Sequence, residues 1–153
     1  MRSAYRTLVD ALPADGDLEG LVSELAARRG RPIEVHATRM PTDGPSGLVL
    51  STARADHVVL DAGCPPSQRV VVLLHELAHL VLGHAERGGD APRALAALLA
   101  PDVSPEVAVR YLARGGQCCD AERSAETVAL RVAAVVRRRS DDAAHEPFWG
   151  RLR

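Results

Sequence analysis

Residues Asp17 to Arg29 place Leu18, Leu21, Val22, Leu25 and Ala26 at helical spacing, with Asp15 or Asp17 before the run as a cap and Gly30 just after it. This pattern predicts an amphipathic helix. The period then changes. Pro32 to His36, Gly47 to Ser51 and His57 to Leu60 are short apolar or β-branched runs separated by Pro, Gly and Asp, which predicts three strands of a small sheet. Met40 to Ser46 is rich in turn formers and predicts a loop.

Ser67 is the candidate cap of a helix from Gln68 to about Leu82, closed by Gly83. From Val70 to Leu82 it is apolar on nearly every side except at His75, Glu76 and His79. A helix apolar all round is buried, so these three side chains need partners inside the protein. Further helices are expected near Pro92 to Leu99 and from Ser104-Pro105-Glu106 to Gly115-Gly116. A last one runs from about Asp120 to Arg139, with Ala121, Ala125, Val128, Ala129, Val132, Val135 and Val136 as its inward stripe. Together these elements predict an α+β fold: a small, mostly antiparallel sheet packed on this buried helix, with additional helices. The whole chain, 1–153, reads as a single domain with 140–153 as a flexible tail.

Composition narrows the chemistry. All 19 Lys+Arg positions are Arg, so catalysis by a lysine amine is excluded and His, carboxylates, Cys, Tyr, Ser or a metal remain. The net charge of -1 disfavours direct nucleic-acid binding. Met1 to Leu21 lacks a signal-peptide core, and no apolar stretch is long enough to span a bilayer, which predicts a cytoplasmic protein. The 3 cysteines, Cys64, Cys118 and Cys119, are odd in number, two of them adjacent, and fit reduced thiols.

His75-Glu76-Leu77-Ala78-His79 is an H-E-x-x-H sequence within a predicted helix. His75 and His79 project from one face, a turn apart, and can hold one Zn2+ through their imidazoles. Glu76 stands beside them as the general base for a water that such an ion activates. A third protein ligand is required. His84 lies five residues past His79 where the metzincin spacing needs about six, no methionine lies downstream, and a histidine at a helix C-terminus is favoured by the dipole. Glu122 is the better candidate, because Ala125 and Ala129 share its helix face and point it inward. Tyr111, His57, Arg69 and Arg110 are possible oxyanion donors, and a thiolate from Cys118 or Cys119 would close the metal site.

The run Val70 to His84 resembles the active-site helix of the ImmA/IrrE family of metallo-endopeptidases, and Glu122-Arg123-Ser124-Ala125-Glu126-Thr127-Val128-Ala129 is similar to the family's E-x-x-A-[DN]-x-x-A helix. His57-Val58-Val59-Leu60-Asp61 suits the strand before the zinc helix, so the resemblance spans about Pro32 to Ala129. Two positions depart from the family pattern. Ala78 stands for its usual Gly, and Glu126 for its Asp or Asn, so Glu126 either orients a histidine or is itself the third ligand. The long interval from His79 to Glu122 reads as an inserted helical pair. The resemblance implies a zincin-like fold and a zinc endopeptidase that cleaves a partner repressor of the helix-turn-helix (XRE) type, with the His57 to Leu60 strand offering an edge to an extended substrate. The alternative is a catalytically latent zinc-fold component of a regulatory or toxin-antitoxin pair, acting by protein binding. A pure scaffold would not need Glu76.

Overall fold

The computed structural model describes residues 1–40, 44–84, 86–87 and 119–143. It is α+β. Its elements are α1 (Arg2–Ala11), α2 (Leu18–Arg29), β1 (Ile33–Thr38), β2 (Gly47–Ser51), β3 (Asp56–Asp61), α3 (Pro66–Leu82), β4 (Glu86–Arg87) and α4 (Cys119–Ala143). The expected helices between Pro92 and Gly116 lie outside the described residues, as do Tyr111, Arg110 and Cys118.

α2 forms as its signals predict. Asp17 caps it by accepting from the backbone N–H groups of Glu19 and Gly20, and Gly30 closes it in the left-handed region at φ 65°. α3 starts earlier than expected. Pro66 opens it at the first helical position, where a missing N–H costs no hydrogen bond, and Ser67 lies within the first turn instead of capping it. The N-terminal α1 carries no turn or cap signal in its sequence, yet Ala4, Leu8 and Ala11 recur at helical spacing and are buried.

The sheet has the order β1-β3-β2-β4. β2 and β3 pair antiparallel, whereas β1 with β3 and β2 with β4 are parallel. The expectation of a mostly antiparallel sheet therefore holds only for the β2–β3 hairpin. β3 lies between β1 and β2, so both of its backbone edges are used and it cannot accept an added strand, contrary to the edge role expected for His57 to Leu60. Strand order, unlike strand position, depends on pairings between distant segments.

The core lies between one face of this sheet and the helices. Val58 and Leu60 of β3 and Val49 of β2 meet Leu73, Leu74, Leu77 and Leu80 of α3 and Ala125, Val128, Ala129 and Val132 of α4. α4 lies along α3, with Ala125 and Ala129 permitting a close approach. Arg131 of α4 stacks over the Tyr5 ring of α1 at 4.2 Å. α4 also runs past Arg139 to Ala143. Ser140 is thus helical, not the start of a loose tail, and with Val136 it crowds the loop at Gly16. There φ is 79°, and a Cβ would stand 2.8 Å from the Ser140 hydroxyl and 2.9 Å from the Val136 carbonyl oxygen. Only glycine fits.

One buried charge ties α2 to the sheet. Asp56 is fully enclosed and accepts from Arg29 Nε at 3.0 Å and Nη2 at 2.8 Å and from the Ser51 hydroxyl at 2.6 Å, with Arg31 Nε at 3.4 Å. Removing the carboxylate leaves two guanidinium groups without their anion in a partly buried setting. Asp56→Ala is expected to destabilise the protein by about 3 kcal/mol in urea unfolding, against less than ~0.5 kcal/mol for the exposed Glu24→Ala.

Candidate metal centre

α3 buries Glu76 and His79 in this core and leaves His75 half-buried at its edge. His79 is 2% exposed and Glu76 6%. Four residues rotate a helix by about 400°, and His75 and His79 accordingly stand a turn apart with their Nε2 atoms separated by 2.9 Å. α4 supplies the third group from its first turn. Glu122 Oε2 lies 3.3 Å from His75 Nε2, and its Oε1 lies 3.3 Å from His79 Nε2.

These separations suit a bound cation. A tetrahedral ion with bonds of about 2.0 to 2.1 Å sets its donors roughly 3.3 to 3.4 Å apart; here the two imidazole Nε2 atoms are 2.9 Å apart and each lies 3.3 Å from its own oxygen of the Glu122 carboxylate. His75, His79 and Glu122 are therefore positioned to hold a metal ion. Of the two glutamates the sequence offers, Glu122 joins the imidazoles; Glu126, a helical turn further on, is exposed and outside the group. Glu122 does point its carboxylate to the histidines, although 47% of its side chain stays accessible, so the site is closed beneath His79 and open on the glutamate side.

His84 has a different place from that of a simple helix end. Gly83, at φ 78°, turns the chain so that the His84 N–H donates to the His79 carbonyl oxygen at 2.8 Å. The turn brings His84 Nδ1 within 3.3 Å of His79 Nδ1. A proton shared on this side fixes the His79 ring and leaves its Nε2 lone pair turned to Glu122 and His75. Burial, and then the neighbouring His75, hold the His79 pKa below its usual value, although Glu122 opposes the shift. His79 is thus neutral at pH 7, the form that binds metals.

Glu76 lies on the sheet side. Burial, reinforced by the charge of Glu122, pushes its carboxyl up to about 8. Gly47, the first residue of β2, makes room for it: a Cβ there would stand 2.5 Å from Val72 Cγ1 and 3.1 Å from Glu76 Oε1. The sequence marked Gly47 only as a strand start. Its real constraint is the approach of β2 to α3, which no local pattern reveals.

The remaining candidates are placed elsewhere. Arg69 donates to the backbone oxygens of Cys64 at 2.7 Å and Ala62 at 2.8 Å, where it holds the loop into α3. Cys64 is buried in that loop with its thiol 3.8 Å from Asp61 Oδ2. His57 projects from the opposite face of the sheet, beside Glu34 and His36. It cannot serve an oxyanion at Glu76. Among the described residues no helix is long and apolar enough to cross a membrane.

Two outcomes follow from this packing. In chelator-treated protein Glu76 holds its proton to about pH 8 when folded but loses it near 4.5 when unfolded. The unfolded state then binds fewer protons, so stability falls as pH rises from about 4.5 to 8. The whole interval amounts to roughly 5 kcal/mol, and urea titrations across that range should show the slope reduced in Glu76→Gln. Gly47→Ala should destabilise by about 1 to 3 kcal/mol through overpacking, measured in the same way, and should displace the Glu76 carboxylate.

No protein-family model, curated protein or solved structure matches this chain.

Proposed function

We propose that this protein is a zinc-dependent endopeptidase. The observation that carries the proposal is the convergence of His75 Nε2, His79 Nε2 and the Glu122 carboxylate within 3.3 Å of one another, next to the buried Glu76. Two nitrogens and one carboxylate are the donor set of hydrolytic zinc sites, in which the ion acidifies a water and polarises the substrate carbonyl. Zinc is favoured over magnesium or calcium by the two imidazoles, since the latter ions prefer all-oxygen surroundings.

The chain's own groups have distinct tasks. Glu76 would take the proton of the attacking water and pass it to the leaving amine. A dication held by His75, His79 and Glu122 would lower its carboxyl from about 8 into the range where it can act as a base. His84 orients His79. Peptide access is supported by β2, since β4 pairs only with Leu50 and Ser51 and leaves the outer edge of Gly47 to Val49 without a strand partner among the described residues. An extended peptide added along that edge runs past Gly47 and so past Glu76.

The substrate proposed is a partner transcriptional repressor of the helix-turn-helix (XRE) type, supported by the resemblance of Val70 to His84 and Glu122 to Ala129 to ImmA/IrrE endopeptidases. The test is incubation of the zinc-loaded protein with the regulator encoded beside it, read by mass spectrometry of the products. Cleavage is expected with the parent, a loss of at least ~100-fold with Glu76→Gln at unchanged zinc content, and loss of zinc itself with His79→Ala. Equal processing by parent and Glu76→Gln would refute catalysis, and an intact regulator alongside cleavage of unstructured peptides would refute only the substrate.

A further inference from the structure

On the face of the sheet turned away from α3, two strands bring together a second set of metal-ligating side chains. Glu34 and His36 alternate along β1, so they share a face. The parallel register sets Glu34 opposite His57 of β3. His36 Nε2 lies 3.2 Å from His57 Nδ1, and Glu34 Oε2 lies 3.4 Å from His57 Nδ1 and 3.6 Å from His36 Nε2. Sides of 3.2, 3.4 and 3.6 Å again bracket the donor spacing of roughly 3.3 to 3.4 Å around a tetrahedral ion.

The neighbourhood of His57 sets how its ring is turned. Thr52 Oγ1 has a single proton, which it donates to the Ala55 carbonyl oxygen at 3.0 Å. This hydroxyl oxygen also lies 3.3 Å from His57 Nε2, a contact that turns Nδ1 of the ring towards His36 and Glu34. A neutral imidazole protonated at Nε2 has its lone pair at Nδ1. The Thr52 hydroxyl is itself held by the turn, with the N–H groups of Arg54 at 3.3 Å and Ala55 at 3.2 Å. A fixed polar neighbour at the far ring nitrogen orients a ligand histidine before an ion arrives.

We propose that Glu34, His36 and His57 form a second divalent metal site of the zinc class, clasping β1 to β3 on the face opposite the H-E-x-x-H helix. His57 is buried and preset by Thr52, His36 is half-buried, and Glu34, 52% accessible at its side chain, is the mobile ligand through which the ion enters from solvent. Two imidazoles and one carboxylate select Zn2+ and its Irving–Williams neighbours over Mg2+ and Ca2+. The ion joins two strands whose order along the chain is interrupted by β2, so its binding favours the folded sheet. The proposal does not depend on the function assigned to the first site.

The test is titration of the full-length chain with Zn2+ alone against a chromophoric chelator. The parent is expected to take up one equivalent more than His36→Gln, a substitution at a half-buried position outside the hydrophobic core. In the His75→Ala/His79→Ala background one equivalent should persist, raise the melting temperature, and vanish when His36→Gln or Glu34→Gln is added. If the double variant does not fold, the parent against His36→Gln comparison decides. Equal Zn2+ uptake by parent and His36→Gln, or no uptake by the folded double variant, would overturn the proposal. Loss confined to the first site would leave it intact.

Discussion

A helix that is apolar on nearly every side has to be largely enclosed, and α3 takes Glu76 and His79 into the enclosure with it, with His75 at its edge. Burying such polar groups without partners would cost several kcal/mol. The structure meets this constraint from three directions. His84 folds back onto His79, Glu122 descends from α4 between the two imidazoles, and β2 closes over Glu76. The metal centre and the central packing of the molecule are one feature, because the groups that would bind an ion are also those that make burial of the helix tolerable.

Close approach is what allows that enclosure. Gly47 lets β2 lie against Val72 and Glu76, and Ala125 and Ala129 let α4 lie against α3 so that a glutamate side chain, exposed along half its surface, still reaches the histidines. The sheet is held in register behind this layer by Asp56, whose carboxylate gathers Arg29, Arg31 and Ser51. A buried charge satisfied in this way confers orientation more than stability. α2 and β3 are thereby fixed relative to each other.

The two faces of the sheet treat histidine differently. Towards α3, the imidazoles come from a helix and lie a turn apart. On the other face, they come from two parallel strands and meet across the β1–β3 ladder. Both groups pair two nitrogens with one carboxylate, and in each a neighbour acts on the distal ring nitrogen of the most buried histidine: His84 at His79, Thr52 at His57. The first group is enclosed except along Glu122 and has a buried carboxyl beside it, whereas the second has no such carboxyl among the described residues.

Local patterns were sufficient for α2, the end of α3, β2, most of α4 and the histidine pair, but not for α1. The caps of α2 and the closure of α3 at Gly83, the strand at Gly47 to Ser51, the stripe of α4 and the pairing of His75 with His79 all arise from interactions within a few residues, whose periodicity the chain carries directly. Glu122 could be singled out because its helix face is written in Ala125 and Ala129, but the choice against Glu126 needed the rotation of α4 about α3. Strand order, the central place of β3, the glycine contact at Glu76 and the meeting of His57 with His36 depend on pairings between segments far apart in sequence. The sequence by itself determined which residues can carry chemistry and which helix face holds them, because helical geometry repeats every few residues. Only the tertiary structure decided which carboxylate joins the two imidazoles, which strand lies against Glu76 and which histidines meet across the sheet, because those are set by register and packing between elements that no local period encodes.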